Sequence, residues 1–282
     1  MIKDVLVHLD GSAQDEERLL YGEAVASISQ AHLTGLFTNP LPDMAALVPF
    51  DGGAVAADLV AQMDMEARQL GTRVAGKLAD RFSRLSVPNE VRRVEDIADQ
   101  ISSGVATEAR WADLFVTSRP YEDDGDTQWR RLFEAVLFES GRAILVVPPG
   151  RRPPEALRRV LLCWRDTRES ARAVAESLPI LVQATRTMIL VVDPDPALDG
   201  ARSEPAADIA KHLDRCGAKV EVTVAASQGH EVSQVILDHA ARMSADLIVM
   251  GGYGHSRARE WLIGGVTRDM LTASPLPILI AH

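Results

Sequence analysis

Leu247-Ile248-Val249-Met250-Gly251-Gly252-Tyr253-Gly254, followed nine residues later by Gly264-Gly265-Val266-Thr267, decides how this chain is read. A short apolar run suits a buried strand. The stretch from Val266 to Ala273 suits a helix, and the glycines lie between the two. Glycines at such a junction let backbone N–H groups approach a phosphate closely. The helix N-terminus aims a partial positive charge at the same place. The stretch therefore predicts a seat for a phosphorylated ligand at the carboxyl end of a strand.

Working outward, the chain repeats itself. Val5-Leu6-Val7-His8-Leu9-Asp10 near the start matches Val160-Leu161-Leu162-Cys163-Trp164-Arg165. Helical patterns follow both, over Glu16 to Ser29 and Glu169 to Gln183. Leu33 to Phe37 then matches Met188 to Val192, Ala112 to Val116 matches Ala245 to Val249, and Ala143 to Val147 matches Pro277 to Ala281. The first strands are 155 residues apart and the Ala-Asp-Leu strands only 133, so the first copy holds about 22 extra residues. They fall within Pro40 to Ala75, as a Pro/Gly-containing loop and a helix longer than its counterpart near Ala206 to Cys216. Pro148 to Pro154 resists regular structure and reads as a linker. The expected domains are 1–148, without the glycine loop, and 155–282, with it.

Each copy alternates five short apolar strands with helices, and its strands are continuous β-branched runs, as in strands buried on both faces. The expected class is α/β, with two repeated open parallel five-stranded sheets carrying helices on both faces. Ligands bind such sheets at the carboxyl ends of the strands, near the switch in strand order.

Composition narrows the function. The 282 residues are 46% hydrophobic and 25% charged, as in a soluble globular protein, and the net charge is −10. That balance argues against a general nucleic-acid binder. No apolar run reaches the roughly 18 residues of a membrane span, and Met1-Ile2-Lys3-Asp4 starts a strand rather than a signal peptide. A cytoplasmic protein is expected, with Cys163 and Cys216 as reduced packing thiols.

The motif Gly251, Gly254, Gly264, with the repeat around it, resembles the universal stress protein family. The resemblance covers nearly the whole chain as a tandem pair. It implies a sheet related to adenine-nucleotide-binding α/β proteins and two halves packed as a pseudo-dimer. Ile144 to Val147 and Ile278 to Ala281 would then pair antiparallel, which satisfies exposed strand edges. It leaves open a further pairing of chains as a homodimer. Many members bind ATP and others do not.

By the same resemblance, ATP, with or without Mg2+, would lie against Met250, Gly251, Gly254, Gly264, Gly265 and Val266. Val191 and Val192 would wall the base. Gly265 stands where the family usually has a hydroxyl, so one side-chain donor is lost, worth about 0.5–1.5 kcal/mol. Thr267 could replace it if it faces the loop, and His255, Ser256 and Arg257 add donors and charge. The family's aspartate at the end of the first strand is kept as Asp10, but the second copy has Arg165, then Asp166. Arg165 could reach a phosphate, stack on a base or fill the pocket, and Asp166 could take the aspartate's place. After Val116 the first copy reads Thr117-Ser118-Arg119-Pro120-Tyr121-Glu122-Asp123-Asp124, without a glycine pair and with charge that repels phosphate.

Competing motifs fail on context. Gly71-Thr72-Arg73-Val74-Ala75-Gly76-Lys77 has P-loop spacing, but Leu78 follows and the run lies inside a helical stretch from Ala61. His212 and Cys216 make a weak metal pair with no third ligand nearby. His8, Asp10 and Ser12 form no nucleophile–base arrangement, and Ser12 reads as an N-cap. Trp164 and Trp261 flank the expected site as core or rim residues. Two main readings follow. One is a nucleotide-binding stress module. The other is a scaffold or small-ligand protein with decayed pockets, using Met44 to Val60 as its contact surface. A third, weak nucleotide hydrolysis, lacks an evident base or metal pair for an attacking water.

Overall fold

Continuous apolar runs become interior strands because only a sheet covered on both faces buries both sides of such a run. The computed structural model describes residues 1–43, 53–121, 127–194, 204, 206–253 and 265–282. The strands are β1 (Asp4–Leu9), β2 (His32–Leu41), β3 (Asn89–Ile97), β4 (Leu114–Ser118) and β5 (Ala143–Val147). Then follow β6 (Arg159–Cys163), β7 (Arg186–Val192), β8 (Val220–Ala225), β9 (Leu247–Gly251) and β10 (Ile278–Ala281). They form one ten-stranded sheet in the order β3-β2-β1-β4-β5-β10-β9-β6-β7-β8.

Every neighbouring pair is parallel except β5 with β10. That antiparallel pair joins the halves in the expected pseudo-dimer, with Leu145 opposite Leu279 and Ile144 opposite Ile280. Both strands are buried along their whole length, so the junction is core. The outer strands β3 and β8 alternate half-buried with exposed residues, as edges do.

The helices are α1 (Asp15–Ser29), α2 (Gly53–Phe82), α3 (Ala98–Ala109), α4 (Thr127–Ala135, continued by a π turn over Val136–Ser140), α5 (Arg168–Gln183), α6 (Ala207–Arg215), α7 (Val232–Arg242) and α8 (Gly265–Ala273). Helices α1, α2, α5 and α6 bury Leu19, Phe82, Leu181 and Leu213 on one face of the sheet. Helices α3, α4, α7 and α8 bury Ile101, Phe133, Ile236 and Met270 on the other. Each cluster runs through both halves, so the two copies share continuous cores.

The extra residues of the first copy are largely α2, 30 residues long against nine in α6. The P-loop-like run lies inside α2, as its context required. Gly71 is a glycine because α2 closes onto β2 and β3 there: an added Cβ would stand 2.5 Å from Asn39 Nδ2 and also strike Arg93. Ser12 is not the N-cap of α1. The helix starts at Asp15 behind Gln14, which gives no side-chain cap. Asp15 instead accepts from the N–H groups of Asp10 (3.0 Å) and Gly11 (2.8 Å).

Candidate functional site

In the second half the chain leaves β6 for β7 and β8, then returns to the other side of β6 for β9 and β10. In open sheets of this kind, ligands bind beyond the carboxyl ends of the strands at such a switch, here between β6 and β9. Cys163, last in β6, is level with Met250 of β9 and Leu190 of β7. Strand β9 stops at Gly251, and α8 begins at Gly265 with no acidic residue in its first turn. Gly254, His255, Ser256, Arg257, Trp261 and Gly264 lie outside the described residues, as do Glu122, Asp123 and Asp124.

The glycines at the end of β9 have packing roles. A Cβ on Gly251 would stand 2.6 Å from the Glu169 carbonyl carbon and the Ser170 nitrogen, so the strand end lies against the start of α5. A Cβ on Gly252 would meet Ile280 Cδ1 at 2.6 Å, and its N–H donates to the Ala281 carbonyl at 2.9 Å. The small size of these two residues serves the sheet and α5. Gly265 differs, being exposed at the helix start, with Asp269 Oδ2 3.8 Å from where its Cβ would lie. Thr267, two residues on, is buried.

Met250, Val192 and Val266 pack on the α7/α8 side of the sheet, with Cys163. Val191 is also buried but alternates to the opposite face, as successive strand residues must. The two valines therefore do not form one wall; Val192 alone joins the side of α8. Arg165 is exposed, and its carbonyl accepts from the Thr167 N–H at 2.7 Å in a turn. Its side chain does not fill a buried pocket. Asp166 is exposed too, while Thr167 caps α5 by accepting from the Ser170 N–H at 3.4 Å. Trp164 packs half-buried against the core.

The matching place in the first half is filled. Arg18 of α1, 2% exposed, reaches the end of β1 and pairs with Asp10 at 2.6 Å and with Asp15. It also lies 3.3 Å from His8 Nδ1, while His8 Nε2 meets the Thr38 hydroxyl at 3.0 Å. The Trp129 ring covers His8 at 4.8 Å. Burial and the Arg18 charge hold His8 down to about 3, against the pull of Asp10. Burial alone would raise the Asp10 carboxyl, but the Arg18 charge beside it wins and holds it well below the usual range. Asp10 is thus committed to a guanidinium of its own chain.

One cluster was invisible in the sequence. Tyr253, with φ of 58°, places its hydroxyl 2.8 Å from that of Tyr121, in the other half. Phe138 packs on Tyr253 at 5.4 Å, and the Arg268 guanidinium lies 5.6 Å from the Tyr121 ring centre. Burial and the neighbouring phenol push the Tyr253 hydroxyl far above its ordinary value. The first half therefore touches the residue that opens the glycine loop. Cys163 is half-buried, with desolvation pushing its thiol up to about 12, and Cys216 Sγ lies 3.9 Å from His212 Nε2. Among the described residues no group of three metal-ligating side chains occurs, and no helix is long and apolar enough to cross a membrane.

Residues 157–282 match the model of the universal stress protein family. This segment of the chain is similar to universal stress protein domains. A universal stress protein of Synechocystis sp. is 33% identical over 69 residues, 24% of this chain and 23% of that protein's length. A solved universal stress protein from Archaeoglobus fulgidus superposes on 99% of this chain and 95% of its own, with a TM-score of 0.70 at 15% identity. A provisionally assigned universal stress protein from Pseudomonas aeruginosa covers 99% and 93%, with a TM-score of 0.63 at 13% identity. At these identities the two solved structures establish the fold of the whole chain. The segment similar to the family model is the half that retains the glycine motif.

Proposed function

We propose that the second domain, 155–282, binds an adenine nucleotide, ATP with or without Mg2+, and that the chain is a cytoplasmic nucleotide-responsive stress module rather than a metabolic enzyme. The observation that carries this reading is the start of α8. It opens on an exposed glycine, without acidic residues in its first turn, at the end of a Gly-x2-Gly-x9-Gly run and beside the β6/β9 switch. A helix N-terminus in that position attracts phosphate oxygens through its free N–H groups and its partial charge. Gly264, Gly265 and Val266 would offer amides, His255 and Ser256 side-chain donors, and Arg165 a mobile cation beyond the end of β6. Met250 and Val192 supply apolar surface from the same side of the sheet. The first domain, 1–148, is read as non-binding, because Arg18 holds Asp10 and Trp129 covers His8.

A second reading has one observation in its favour. Gly251 and Gly252 are explained by packing alone, so a fold with a decayed pocket would keep them. Release of bound small molecules with acid, their identification by mass, and calorimetric titration with ATP with and without Mg2+ separate the two. Co-purified or titratable adenine nucleotide supports the first reading; no binding at millimolar ATP supports the second. Gly254→Val is expected to weaken ATP binding by at least about tenfold without lowering Tm, since bulk at a loop amide blocks close approach. Unchanged affinity would move the site elsewhere.

A further inference from the structure

Helix α2 in the first half presents a stripe that the other described residues leave uncovered. Residues 59, 63, 66, 70, 73 and 77 recur at alternating steps of four and three, which aligns them along one side of a helix. They are Leu59, Met63, Glu66, Leu70, Arg73 and Lys77, and all six are exposed. Leu59 keeps 58% of its surface in solvent and Leu70 54%. Other sides of α2 do the anchoring, through Val60, Leu78 and Phe82.

Charge along α2 is polarised. Asp58, Asp64 and Glu66 occupy its first part, and Arg68, Arg73, Lys77 and Arg81 its second, with Asp80 interrupting. Arg68 pairs with Asp64 at 2.7 Å and Arg81 with Glu16 at 2.9 Å. Asp58, Glu66, Arg73 and Lys77 have no ion pair among the described residues. The unpaired anions thus precede the unpaired cations along the same helix.

We propose that this stripe is an interface with a second copy of the chain, in which the two α2 helices pack antiparallel about a two-fold axis near residues 66–70. Such an interface is self-complementary by symmetry. Antiparallel packing sets the anionic part of each helix against the cationic part of the other, so Glu66 of each copy comes within reach of Arg73 of the other. The long stems of Arg73 and Lys77 then cover Met63 and Leu59 while their charged heads stay wet. Parallel packing would place like charges together and is disfavoured. The inference does not depend on nucleotide binding. A single pair of helices buries an area at the low end for specific complexes, so the association is reversible and concentration-dependent.

Sedimentation velocity on the full chain, from about 1 to 200 µM, tests this. A dimer that dissociates on dilution and weakens with added salt is expected. Met63→Lys with Leu70→Lys should weaken it by more than about tenfold, with an unchanged circular dichroism spectrum, since both positions are exposed. Glu66→Arg alone and Arg73→Glu alone should each weaken the dimer, and the two together should restore it to within about threefold of the parent. A chain that stays monomeric throughout, a dimer that survives the double lysine variant, or a charge swap that recovers no more than either single change would overturn the proposal.

Discussion

The ends of the first strands, β1 and β6, began as equivalent positions and now do opposite things. At β1, Asp10, Asp15, Arg18, His8 and Thr38 form a buried polar knot under Trp129. At β6, Arg165 and Asp166 stand in solvent, and the residue 155 places beyond Arg18 is Ala173, fully buried. One site has been closed by a charge its own helix supplies. The other has no such knot among the described residues, and its charged groups stand outside. The two strand ends differ in one long side chain of the following helix, which turns back over β1 and has only a buried alanine as its counterpart at β6.

The largest test of that contrast is Arg18→Met. It leaves Asp10 and Asp15 partly buried without their cation, and loss of one member of a buried ion pair typically costs about 3–5 kcal/mol. Urea unfolding should show the drop, while Ala173→Met at the second strand end should act only through crowding, at about 1–3 kcal/mol. An Arg18→Met protein as stable as the parent would mean the knot contributes nothing.

His8 provides a pH-dependent test. Unfolded His8 takes up a proton near 6.5, whereas folded His8 resists until about 3. Between those values the unfolded state binds more protons, so stability is present above about 6.5 and is lost as pH falls toward 3. His8→Asn should flatten that part of the stability profile by a few kcal/mol in denaturation midpoints at pH 7 and pH 4. An identical profile would show that other groups carry the acid sensitivity.

The smallest expected effect is at Arg165→Asp. An exposed carboxylate there regains an acceptor for a base or ribose and loses a cation near the phosphates. Adenosine affinity should rise about threefold to tenfold by calorimetry, as one net hydrogen bond allows. A fall for adenosine as well as ATP would show that the arginine itself contacts the ligand.

Much of the fold was legible in the residues. The matched apolar runs at offsets of 155 and 133 identify the duplication and the inserted helix, while the antiparallel junction, seen with Val146 opposite Ile278, was implied by the family resemblance. Periodicity and glycine placement carry that information because they are local and repeat. The candidate site was legible only in outline. Gly251 and Gly252 look like ligand glycines in one dimension, and only the closeness of α5 and β10 reveals their packing role. Val191 and Val192 look like one wall until strand alternation sends them to opposite faces. Arg18 gave no signal, since a basic residue one turn into an acidic helix start reads as surface; its burial depends on how α1 crosses the end of β1. The sequence by itself determined which segments are strands, that they come twice, and where a glycine-flanked helix start lies, because these depend on neighbours along the chain. Tertiary structure decided that the end of β1 is closed by a buried ion pair, because that turns on how α1 and β2 bring their side chains over the strand end.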